Sequence, residues 1–170
     1  MPKQKLELYK GILESFDGFS RKNWEDAFTI EFTHDTTAIE GNTLTLIDTK
    51  MILEDGVVPK ETTLLELDQI RGHAEAWQYV KENVKNNISL SENVIKDIHE
   101  RVLLTRGVED TYRLVPVYRR GAQYVPPNYK KVGELMKCYI HKNVFSSVPE
   151  LAAWTHGEFV KIHPFRCGNG

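Results

Sequence analysis

Apolar residues recur at intervals of three and four along nearly the whole chain, and that spacing commits it to helices. Leu6, Tyr9, Leu13 and Phe16 share one face, and Gly18 closes the segment. Between about Arg21 and Ile39, Trp24, Phe28, Phe32 and Ile39 fall on one stripe, with Gly41-Asn42 as its C-cap. Thr45 with Asp48 reads as a capping box for a short helix ending at Asp55-Gly56. A long helix from about Glu61 to Val84 turns Leu67, Ile70, Ala74, Trp77 and Val84 inward. Ser89 with Glu92 opens the next, whose core face carries Val94, Ile95, Ile98 and Val102. Two more are expected from about Asn128 to Lys142 (Val132, Leu135, Met136, Tyr139) and from Val148 to Ile162 (Leu151, Phe159, Ile162), the second capped by Ser147 with Glu150. The pattern breaks only after Gly107, where 114–118 and 122–125 flank Arg119-Arg120-Gly121 as a short β-hairpin. Pro116 keeps that hairpin out of a central strand, and Pro126-Pro127 ends it. The fold class is therefore all-α, a helical bundle with one short β-hairpin flap. Trp24, Trp77 and Trp154 are expected in its core.

At 170 residues the chain can close a hydrophobic core as one domain with an N-terminal extension. Lys and Arg total 22 against 24 Asp and Glu, a net charge of −2, so nucleic acid and anionic membrane are not expected as partners. No apolar run has the length of a membrane span, and the first ten residues, MPKQKLELYK, hold no signal-peptide core. Two cysteines, Cys138 and Cys167, make no disulfide framework, which points to a cytoplasmic location.

The most informative stretch is HPFRCGNG, His163 to Gly170. Pro164 forces the residue before it out of the right-handed helical region, so His163 stands at a helix end, where an imidazole can face a cleft. Gly168-Asn169-Gly170 tolerates left-handed backbone and offers successive N–H groups as an anion nest. A histidine beside such a nest can serve as general base for nucleotidyl transfer. The plain alternative is a tight turn with a buried histidine. Cys138-x-x-His141 and His163-x3-Cys167 have zinc-like spacings, but Cys138 falls mid-helix beside Met136 and Tyr139, a packing position. Cys167 as a thiolate nucleophile near His163 is a further alternative. His34, His73, His99, His141 and His156 read as surface or satisfied core groups.

HPFRCGNG resembles the signature of the Fic (filamentation induced by cAMP) proteins, HPFx(D/E)GNGR. Thr36-Thr-Ala-Ile-Glu40-Gly41-Asn42 resembles the family's inhibitory motif, (S/T)xxxE(G/N), and the hairpin before Pro126-Pro127 resembles its target-docking flap. The resemblance runs from about Thr33 to Gly170 and implies a Fic domain over 33–170, behind a helical extension over 1–32. Within it the inhibitory helix is 33–42, the flap about 112–125 and the signature loop 163–170. It implies protein adenylyltransfer (AMPylation), in which a target Ser, Thr or Tyr hydroxyl attacks the α-phosphate of ATP and pyrophosphate leaves. His163 then matches the base, Phe165 the anchor of the loop, and Gly168, Asn169 and Gly170 the phosphate cradle. Leu114, Val117, Tyr124 and Val125 would dock the target by β-augmentation. Thr36, Glu40, Gly41 and Asn42 match the brake, with the Glu40 carboxylate in the space of the ATP γ-phosphate. A target protein is the implied partner, and a second copy of the chain stays open as another.

Two positions depart from the pattern. Cys167 stands where the family carries the acidic ligand of Mg²⁺, and a thiol is a poor donor for that hard cation. The chain stops at Gly170, before the arginine and helix that the pattern places next, so a longer native chain is expected. The expectation is an autoinhibited adenylyltransferase using ATP. The alternative is a silent or regulatory Fic fold that binds nucleotide or a partner without transfer.

Overall fold

The structure, a computed structural model, describes residues 3–104, 111–118, 124–141 and 147–169. Seven α-helices lie among the described residues: α1 Lys3–Glu14, α2 Gly18–Ile39, α3 Leu46–Lys50, α4 Leu64–Lys85, α5 Glu92–Leu103, α6 Val132–His141 and α7 Val148–Ile162. A π-helical segment, Met51–Asp55, continues α3, and a 3-10 turn, Tyr129–Lys131, leads into α6. None of the described helices is long and apolar enough to cross a membrane.

The caps are where short-range chemistry put them. Asp17 accepts from the Ser20 amide at the start of α2, and Thr45 and Asp48 form the expected reciprocal box at α3. Ser147 accepts from the Glu150 amide at α7. The cap of α5 is Ser91, which accepts from the Val94 amide, and not Ser89. Ser91 stands immediately before the first helical residue, where a side-chain oxygen reaches an unsatisfied N–H.

The chain forms two compact units, Met1–Ile70 and Arg71–Gly170. In the first, α2 packs on α3, and the buried residues among those described are Ile30, Thr33, Thr37, Asn42, Thr49, Ile52 and, as its spacing indicated, Ile70. Trp24, expected in the core, is not there: it is 42% exposed and stacks along the helix with Phe28 and Phe32, themselves 38 and 36% exposed, at 5.3 and 5.6 Å. Threonine displaced it because Thr37 and Thr49 satisfy their hydroxyls on the carbonyls of Thr33 and Thr45 one turn back, so the face is polar by composition only.

After α2 the chain is held by side chains. Asn42 is buried; its Nδ2 donates to the Glu66 carbonyl and Gln69 Oε1, and its Oδ1 accepts from the Leu44 amide. The Glu66 carboxylate accepts from both the amide and the hydroxyl of Thr43 and of Thr63. Those bonds, the Thr43 and Thr63 hydroxyls first, hold its pKa at about 2 instead of the ordinary 4.5. A carboxyl depressed on folding binds its proton more readily in the unfolded chain. Its stabilisation is therefore complete above about pH 4.5 and lost as the pH falls through about 2. Thermal melts of the wild-type and Glu66→Gln proteins from pH 7 to 2 should differ most above pH 4.5 and converge toward pH 2. A constant difference across that range would refute the assignment.

In the second unit, Ile95, Val132, Met136, Tyr139, Ile162 and Phe165 form the core, flanked by Tyr112, Leu135, Ile140, Trp154 and Phe159. Val132, Met136, Tyr139 and Ile162 sit on the faces their spacing indicated, whereas Val84, expected inside, is exposed near the end of α4. Within this unit α4 meets α5 closely: a Cβ at Gly72 would run into the backbone oxygens of Val102 and Arg101.

The expected hairpin is not formed among the described residues, since neither 114–118 nor 124–128 is a strand. Pro116, Pro126 and Pro127 remove ladder donors. The Arg113 guanidinium takes the carbonyls of Val115 and Pro127, which lie on either side of the expected turn. Arg119 and Arg120, with the rest of 119–123, lie outside the described residues.

Candidate active site

The signature loop begins where α7 ends. His163 takes the C-cap position at φ 49° and ψ 62°, a left-handed conformation unusual for a residue with a Cβ, and its amide still donates to the Phe159 carbonyl. Pro164 compels this stop, because the helix cannot continue into a proline. Phe165 then turns into the core at 2% exposure, its ring stacked on His99 at 3.6 Å and 6° and tilted against Tyr112 and Phe159.

Asn169 closes the loop with its side chain. Oδ1 accepts from the Phe165 amide at 2.9 Å and Nδ2 donates to the Phe165 carbonyl at 3.0 Å. Both polar atoms of this buried carboxamide are thus bonded within the loop, so any phosphate contact by Asn169 falls to its backbone. Gly168 sits at φ 65°, and a Cβ there would press on Leu103 and His99 side-chain atoms at 3.3 and 3.5 Å. Glycine answers both demands. Gly170 lies outside the described residues.

Two residues set aside or passed over in the sequence hold the loop from behind. His99 on α5 is buried. Its Nε2 lies 3.1 Å from the Cys167 carbonyl, which can only accept, so Nε2 carries the proton. Arg113 is 2% exposed; its amide donates to the Pro164 carbonyl at 2.8 Å, and its Nε to the His163 carbonyl at 2.7 Å. Burial pulls the guanidinium pKa below its ordinary value. The carbonyls of His163, Pro164, Phe165 and Cys167 are all drawn to protein donors. Their partial negative charge is kept away from the loop's other side, a condition for holding an anion.

Cys138 and Cys167 are both exposed, so Cys138 does not occupy the packing position its neighbours suggested. Residues 163–169 contain no carboxylate, and the thiol at 167 is the wrong donor for Mg²⁺. The loop does not fit that cation, and no catalytic step is assigned to it here.

In the first unit, Thr36 lies on the last full turn of α2 and is half-buried. Glu40 is the exposed C-cap, and Gly41 follows at φ 98°. Asn42 is buried in the network with Glu66 and Gln69. Of the flap residues, Leu114, Tyr124 and Val125 are exposed and Val117 is half-buried.

An all-helical fold among the described residues that ends a helix on a histidine cap, anchors the next aromatic in its core and leaves a glycine-bearing loop defines a class of helical proteins with such a loop at a helix terminus. Residues 89–170 match the sequence model of the Fic/DOC family. The chain is 33% identical over 147 residues to a protein adenylyltransferase Fic of Nematostella vectensis, covering 79% of this chain and 33% of that protein. Among solved structures it resembles Fic-1 from C. elegans, with 31% identity, TM-score 0.72, and 83% and 44% of the two chains covered. A Fic domain containing signaling protein from Bacteroides thetaiotaomicron shares the fold at TM-score 0.86 and 23% identity, over 98% of this chain and 67% of that one. The chain belongs to the Fic family. It spans about a third of the length of the curated relatives it matches.

Proposed function

We propose that the chain carries the catalytic machinery of a protein adenylyltransferase that moves AMP from ATP to a hydroxyl of a target protein. The observation that carries this reading is the closed 163–169 loop, with His163 in a left-handed cap and Phe165 locked into the core. His163 takes the proton of the target Ser, Thr or Tyr hydroxyl; that oxygen bonds to the α-phosphorus, the bond to the bridging oxygen breaks, and pyrophosphate leaves. The backbone of Gly168, Asn169 and Gly170 cradles the phosphates, so positioning and charge stabilisation supply much of the rate. Leu114, Val117, Tyr124 and Val125 form the surface against which the target lies, as two irregular arms and not as a paired hairpin.

Residues 33–42 act as the brake in this reading. Glu40 closes α2 as an exposed carboxylate, where the helix dipole disfavours negative charge, so the position has no local structural reward. A carboxylate in the γ-phosphate space opposes ATP: two unit charges about 4 Å apart near a protein surface repel by about 4 kcal/mol. A third of that is already tenfold in rate. The protein, expressed from its native reading frame, should therefore transfer AMP at least tenfold faster as Glu40→Gly, by intact mass or labelled-ATP transfer. No gain over wild type would remove the brake from the proposal.

A second reading rests on Cys167: with no carboxylate in the loop, the fold binds nucleotide or a partner and transfers nothing. The same assay separates the two. A Glu40→Gly protein that binds ATP but stays silent, with and without Cys167→Asp, establishes the binding module. Transfer that arises only in the Cys167→Asp protein with Mg²⁺ makes the cysteine the disabling residue.

A further inference from the structure

Arg113 is a buried cation whose partners among the described residues are all backbone carbonyls. Nε donates to His163 at 2.7 Å, Nη2 to Pro127 at 2.6 Å and Ile162 at 3.4 Å, and Nη1 to Val115 at 3.2 Å. Its own amide donates to Pro164 at 2.8 Å. Ile162 and His163 are the last residue and the cap of α7, where carbonyls lack helical partners and carry the negative end of the dipole. The guanidinium meets that charge without a carboxylate. Val115 and Pro127 belong to the two arms on either side of 119–123.

We infer that Arg113 is a positioning residue that locks His163 in its left-handed cap and ties both target-facing arms to the catalytic loop. The part of this inference that concerns transfer rests on the proposed role of His163. Arginine suits the task because a planar fork donates in fixed directions to carbonyls on several sides, whereas a lysine ammonium is a single point with three donors. The Arg113 bond to the His163 carbonyl fixes the peptide that follows the imidazole-bearing residue. A shift of about 1 Å in a catalytic group costs on the order of a hundredfold in rate.

The test has two parts. In the unmutated protein, ¹⁵N NMR of arginine side chains should show Arg113 Nε–H exchanging with water at least tenfold more slowly than that of Arg166, the exposed arginine of the same loop. In Arg113→Lys, the backbone coupling and Cα shift of His163 should leave their left-handed values. In the Glu40→Gly background, the same substitution should lower kcat for AMP transfer about a hundredfold, with the KM for ATP within about twofold. Guanidinium ion should restore part of the rate of Arg113→Ala, which a merely structural loss would not allow. Fast exchange at Arg113, or an unchanged His163 signature in Arg113→Lys, overturns the inference. If Glu40→Gly with Arg113 intact transfers nothing, the enzymatic reading fails, while the exchange and His163 signatures still decide the positioning role by themselves. An Arg113→Lys chain that does not fold leaves the decision to the exchange rate of the unmutated protein.

Discussion

Replacing His163 by alanine in the Glu40→Gly protein should lower AMP transfer by about 10²- to 10⁴-fold, the range a positioned general base supplies. The substitution leaves what surrounds the imidazole in place: Phe165 stays in the core, Asn169 still closes the loop, and the carbonyl at 163 still accepts from Arg113. ATP affinity, measured by calorimetry or a fluorescent analogue, should accordingly change by less than about threefold, because only the proton acceptor is removed. That combination separates a base from a structural histidine. Loss of both transfer and ATP binding would mean that His163 shapes the loop, and retention of transfer would end its assignment as the base. Alanine also tolerates the left-handed backbone no better than histidine does, so a gain in stability is not expected.

Phe165→Ala should be the costliest single core change in the second unit, by about 3–5 kcal/mol in urea unfolding. The ring is 2% exposed and touches three aromatic partners, of which His99 is stacked at 3.6 Å. Truncation deletes its contacts with that core and leaves a cavity beside the imidazole that bonds the Cys167 carbonyl. The defect should therefore extend to function: Phe165→Leu, which refills much of the space, should recover stability before it recovers transfer in the Glu40→Gly background. A cost below about 1 kcal/mol for Phe165→Ala would show that the loop is not anchored by this side chain.

Some of the structure was legible because its causes are local. Thr45 with Asp48, Ser147 with Glu150, and Pro164 after His163 each act within four residues, and each did what its chemistry requires. The signature loop was readable for the same reason, since a proline, an aromatic, a glycine and an asparagine stand at fixed offsets within it, and Asn169 closes it on Phe165 four residues back. Hydrophobicity alone does not decide which face of α2 is buried. Trp24, Phe28 and Phe32 outrank Thr33 and Thr37 on any apolar scale, yet threonine hydroxyls bonded one turn back allowed the smaller face to be buried. Among the described residues the hairpin is absent for a related reason: alternation and turn residues do not reveal that the Arg113 guanidinium, directly before the first arm, takes carbonyls from both arms.

By itself, then, the sequence determined the helical class, most of the caps, and the loop that places the chain in the Fic family. The tertiary structure alone decided what stands behind that loop. His99 meets the Cys167 carbonyl across 68 residues of sequence, Arg113 meets the His163 carbonyl across 50, and Asn42 meets the Glu66 carbonyl across 24. Such contacts leave no periodicity or spacing to read. A side chain bonding to a backbone carbonyl recognises an oxygen that every residue carries, so the partner is selected by where packing delivers it and not by which residue it is.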